Sequence, residues 1–99
     1  MGLTESKILD LEDKKFDKLY EKHKGAWLQM VDDAYQHTKT KVLKGKQPRR
    51  DDVLKALMPQ IELSEDLRNH QADHKARFKH FRDYFAEYII DKYFEQQGL

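Results

Sequence analysis

The sequence predicts an all-α protein, an antiparallel hairpin of two long helices with a short connecting helix, together a three-helix bundle. Three observations predict it. Phe78, Phe81, Tyr84, Phe85, Tyr88, Tyr93 and Phe94 recur at steps of three and four residues, which is helix spacing. A second apolar stripe with the same period runs through the first half, and the 4 Gly and 2 Pro fall mostly where helices should end. At 99 residues the chain has length for one domain, spanning residues 1–99.

The first helix is expected over about residues 10–44. Phe16, Leu19, Tyr20, His23, Trp27, Met30, Val31, Ala34 and Thr38 fall within a sector of about 120° on a helical projection, in phase on both sides of Gly25. Gly25 projects to the opposite side, so one uninterrupted helix is predicted. Asp10 suits its N-cap, and Lys41, Lys44 and Gly45 suit its end. Gly45 to Pro48 is then a connection. A short helix over 50–58 opens with Asp51 and Asp52, carries Val53, Leu54, Leu57 and Met58, and is expected to stop at Pro59. Ser64 is a suitable N-cap for a last helix over 64–96, with Gly98 as its stop. If Trp27 lies level with Phe81 in the hairpin, His37 falls close to His70.

Composition narrows the class. The mean hydropathy of −0.98 requires very polar outer faces. With no Cys there is neither a disulfide framework nor a thiolate metal site, which fits a reducing compartment, and a cytoplasmic location is expected. No apolar run reaches the length of a membrane-spanning helix, and Met1 to Leu11 lack the order of a signal peptide, so no membrane association is expected. The net charge of +1 hides an asymmetry, because residues 1–50 hold 12 of the 19 Lys/Arg but only 8 of the 18 Asp/Glu. Between Asp33 and Asp51 there is no acid, and Lys39, Lys41, Lys44, Lys46, Arg49 and Arg50 form the one strongly basic run.

The last helix carries more apolar surface than a hairpin consumes. Phe81 and Phe85 belong to its inner face, while Ile90 and Phe94 project among Asp83, Glu87, Asp91 and Glu95. A helix apolar on nearly all sides is buried on more than one. Three covers are open: Ile8 and Leu11 folding back, a second copy of the chain, or another protein.

Residues for catalysis are sparse. There is no glycine-rich phosphate loop, no Cys nucleophile and no Ser beside a His in a hydrolase context, so neither an enzyme nor a cofactor is expected. His70 and His74 stand four apart on one helix face, the spacing of helical metal sites, with His37 as a third candidate and Asp33, Asp66 and Asp73 as carboxylate neighbours. Without accompanying Glu motifs the favoured role of these histidines is structural, as hydrogen-bonded, half-buried residues. The basic run could neutralise phosphates, but it contains no aromatic to stack on bases, and Glu65 and Asp66 would repel the backbone at the start of a would-be recognition helix. The expected function is a non-enzymatic protein-interaction module, self-associating or binding a protein partner through Ile90 and Phe94. The alternative is a nucleic-acid-associated accessory protein gripping phosphates through Lys39, Lys41, Lys44, Lys46, Arg49 and Arg50.

Overall fold

Nothing in Ser6 to Leu11 stops a helix, and the first helix accordingly begins before Asp10. The computed structural model describes residues 5–99, without the side chains of Glu5, Ser6, Asp66 and residues 76–78. Asp66 and Phe78 of the sequence reading therefore lie outside the described side chains. Helix α1 spans Glu5–His37 and continues through Gly25, which is exposed. Beyond His37 it widens into a π turn, Thr38–Val42. The Thr38 and Thr40 hydroxyls donate to the Ala34 and Gln36 carbonyls, each at 2.8 Å, competing for acceptors that the helix ladder would use. The Leu43 N–H reaches back to the Thr38 carbonyl at 2.9 Å and the Gly45 N–H to the Lys39 carbonyl at 2.7 Å, with Lys44 and Gly45 at φ 50° and 98°. Gly45 is thus the predicted stop, but a lysine shares its left-handed geometry.

Helix α2 is Arg50–Leu63, longer than the 50–58 read from sequence, because Pro59 sits inside it. Pro59 removes one N–H from the ladder, which leaves the carbonyl of exposed Lys55 to water. Val53, Leu57 and Ile61, one turn apart, are all buried. Burying Ile61 contributes about 2–3 kcal/mol, comparable to the proline's cost, and holds the extra turn. At the other end, the Asp52 carboxylate accepts the Arg49 N–H at 3.0 Å and closes the first turn.

The predicted 64–96 helix is in fact three pieces. Helix α3 covers Glu65–Ala72 behind an extended Ser64, a 3-10 turn covers Lys75–His80, and α4 covers Phe81–Gln97. The break falls at Asp73 and His74, the latter at φ −116°, ψ 65°. It places the His74 ring wholly inside the core, 5.7 Å from the Phe16 ring and 5.1 Å from Phe81, with Nδ1 2.8 Å from the His70 carbonyl. Nδ1 is therefore the protonated nitrogen.

The break reverses the chain, so α4 runs in the same direction as α1. Tyrosines of α4 meet α1 in the same order along both helices: the phenols of Tyr84, Tyr88 and Tyr93 donate to Asp13, Asp17 and Asp32 at 2.8, 2.6 and 2.7 Å. The antiparallel partner of α1 is α2, which also packs across α4 and meets it at its own N-terminus, where Arg50 Nε lies 2.7 Å from Asp91. The all-α bundle is thus up, down, up, with no strand among the described residues. The register differs correspondingly from the one expected. Trp27 stacks edge-on against Phe85, 4.8 Å between ring centres, while Phe81 meets Phe16 at 6.1 Å.

Candidate functional site

Small side chains open a groove in this bundle. Short Ala26 and Ala34 of α1 and Ala56 and Pro59 of α2, with Met30, line a groove of about 890 Å³ between the two helices. Its lining is mixed: Ala34 and Thr38 are buried, Met30 and Ala56 half-buried, and Ala26 and Pro59 exposed. Gln29, Asp33 and His37 stand on the α1 side, Asp52, Lys55 and Gln60 on the other. Gln29 donates to Asp33 at 2.9 Å, which fixes part of that rim. One end is formed by Val42 of the π turn, 61% exposed despite its size. Met30 and Ala34 come from the apolar stripe of the first helix and His37 from the histidine candidates, but no motif joins them to the α2 residues. They converge only because α2 lies against the C-terminal half of α1.

Ile90 and Phe94, expected as an open partner surface, are placed differently. Ile90 is 0% exposed, and Phe94 is half-buried with its ring 6.1 Å from Tyr35. Their cover is none of the three considered. Ile90 belongs to the hydrophobic core and Phe94 packs against it, because α4 has both α1 and α2 as neighbours, where a two-helix hairpin would have offered one. Ile8 and Leu11 do not fold over this region and remain exposed.

The histidines separate. His37 is exposed on the groove rim, while the ring near His70 is that of His23, at 5.9 Å, with His23 stacked on Trp27 at 5.3 Å. The parallel course of α1 and α4 and the break at His74 undo the register that would have joined His37 to His70. Among the described residues no group of three His, Cys, Asp or Glu side chains is arranged to hold a metal ion.

The basic run divides in two. Arg50 is engaged: beyond its contact with Asp91, Nη2 lies 3.5 Å from the Glu87 carbonyl, and the hydrogen bond with Asp91 raises the guanidinium further above its ordinary value. Arg49 serves as the extended residue before α2. Lys41, Lys44 and Lys46 are exposed and Lys39 half-buried, all within the segment that carries Val42. The cationic corner therefore adjoins one end of the groove.

Burial, and then the bonds to Asp17 and Asp32, hold the Tyr88 and Tyr93 phenols well above the ordinary tyrosine range, so both serve as donors rather than acid–base groups. Among the described residues no helix is long and apolar enough to cross a membrane. In comparisons with known proteins, no family model matches the chain, nor does any curated protein or solved structure.

Proposed function

We propose that this chain is a non-enzymatic helical protein-interaction module whose docking surface is the α1–α2 groove. The observation that carries the reading is the apolar share of the groove lining, Ala26, Met30, Ala34, Ala56 and Pro59, left open between α1 and α2. A groove between two helices with polar rims fits an amphipathic helix, which lays apolar residues one turn apart along the floor. Exposed Val42 extends the apolar strip at one end.

The test is selection of helical peptides on the folded protein, with the contact mapped by amide chemical-shift changes. Selected peptides should carry apolar residues at helical spacing, perturb Ala26 to Val42 and Ala56 to Gln60, and lose binding to Val42→Glu and Ala56→Glu. Peptides that map to other faces, or bind both variants unchanged, contradict the reading.

A second reading keeps the cationic corner as a phosphate contact. It is favoured by one observation: Lys44 is the only non-glycine residue with positive φ among the described residues, and strained backbone concentrates at functional sites. Binding to DNA or RNA through Lys39, Lys41, Lys44 and Lys46 would fall steeply with added salt, whereas apolar docking would hold or strengthen.

A further inference from the structure

The bundle covers α1 unevenly along its length. Tyr84, near the start of α4, is level with Asp13, so the turns of α1 before this point stand at the extremity of a molecule 55 Å long. There Ile8 and Leu11, one turn apart, are 36% and 50% exposed, flanked by exposed Asp10. This is a short amphipathic helix end with an apolar pair at the spacing a helical groove accepts.

Its charge matches the far end of the molecule. Of the acids in this end of α1, Glu12 is buried and Asp13 accepts the Tyr84 phenol, which leaves Asp10 exposed beside the apolar pair; the segment beyond the groove's Asp33 rim holds Lys39, Lys41, Lys44 and Lys46 without an acid. Leu11 and Met30 lie on one continuous helix, about 28 Å apart at 1.5 Å per residue, so the apolar pair cannot reach its own groove. A second molecule has no such constraint.

We infer that the occupant of the groove is the N-terminal end of α1 from a second copy of this chain, docked head to tail, with Ile8 and Leu11 on the apolar floor and Asp10 toward the lysine corner. The inference rests on the groove being a docking surface. Because two different patches meet, the contact is heterologous, and each molecule keeps one unused patch through which a third copy can add. Two inserted side chains make a small interface, at the weak end of specific contacts, so association is read at protein concentrations of about 0.1–1 mM.

Heterologous docking gives the test. The double variant Ile8→Glu with Leu11→Glu loses the inserted pair but keeps the groove; Val42→Glu loses the groove's apolar end but keeps the pair. All three positions are exposed, so both variants should keep the wild-type circular dichroism and melting profile. In sedimentation equilibrium the wild type should increase in mass with concentration, and each variant alone should associate at least ten-fold more weakly. An equimolar mixture of the two should form a one-to-one complex that grows no further. A wild type monomeric at about 1 mM overturns the inference, as does a mixture no more associated than its parts or a variant that still self-associates fully. A monomeric wild type whose selected peptides still map to the groove removes the second copy and leaves the docking surface standing. Peptides mapping elsewhere remove the docking surface itself.

Discussion

Replacing Ile90 by Ala separates the two places this side chain could occupy. On an outer face the substitution would cost less than about 0.5 kcal/mol, as surface changes usually do. In the structure Ile90 is fully buried in the core that α4 shares with α1 and α2. Three carbons are removed, worth about 2.4 kcal/mol at about 0.8 kcal/mol per buried methylene. A residual cavity of about 40 Å³, at about 24 cal/mol per Å³, adds about 1 kcal/mol. The expected loss is therefore about 3.5 kcal/mol, a large part of the about 5–15 kcal/mol that holds a domain of this size. Urea titration followed by fluorescence of Trp27, the one tryptophan and a buried one, reads the change directly. The midpoint should fall with an unchanged slope. A loss below about 1 kcal/mol would refute the packing of α2 across α4 and return Ile90 to the surface.

Three further outcomes follow from local geometry. Gly25→Ala should raise stability by about 1 kcal/mol, seen as a higher melting temperature, because a Cβ there meets nothing within 4 Å; a clear loss would mean α1 is not regular at that point. Lys44→Gly should stabilise by about 1 kcal/mol in the same assay by relieving a left-handed backbone, and no gain would argue against that conformation. The Tyr88 and Tyr93 phenols are raised by burial first and then by hydrogen bonds to Asp17 and Asp32, so the folded state holds their protons more tightly than the unfolded chain does. Their contribution is complete below about pH 10, the ordinary phenol value, and is lost as pH rises beyond it. Urea midpoints at pH 9 and pH 11 should therefore differ more for the wild type than for Tyr88→Phe with Tyr93→Phe, and equal differences would contradict this.

Helicity was legible because the apolar period is strong on both sides of Gly25 and the punctuation at Gly45, Pro48 and Ser64 is local. Two boundaries were not. Pro59 reads as a stop by its own chemistry, yet burial of Ile61 two residues later holds the helix together through it. The opposite happened at Asp73 and His74, where no Gly or Pro marks a break. What opens the helix there is tertiary: the reversed α4 lays Phe85, Ala86, Ile89, Ile90 and Tyr93 against two neighbours at once, and His74 gains an aromatic enclosure. A periodic pattern records which residues want burial but not which neighbour buries them. The groove was illegible for the same reason, since Ala26, Ala34 and Val42 keep a regular spacing of eight but become one surface with Ala56 and Pro59 only through the placement of α2. The excess apolar surface around Ile90 was the one signal of that placement in the sequence.

The enclosure of Ile90 depends on α4 running alongside α1 in the same direction. With no native Cys, Gln36→Cys and Glu95→Cys provide a unique pair of exposed spin-label sites, and the distance between them can be measured by double electron–electron resonance. Tyr35 lies 5.6 Å from Tyr93 and 6.1 Å from Phe94, ring centre to ring centre, so the two labels should be neighbours. With helix axes about 8–10 Å apart, the distance expected is about 20 Å or less. An antiparallel hairpin with Trp27 level with Phe81 would instead set Glu95 beside Asp13, and the labels would stand about 35 Å apart along α1 at 1.5 Å per residue. A single short distance is the predicted result, and a distribution centred near about 35 Å would contradict the fold and the enclosure of Ile90 together.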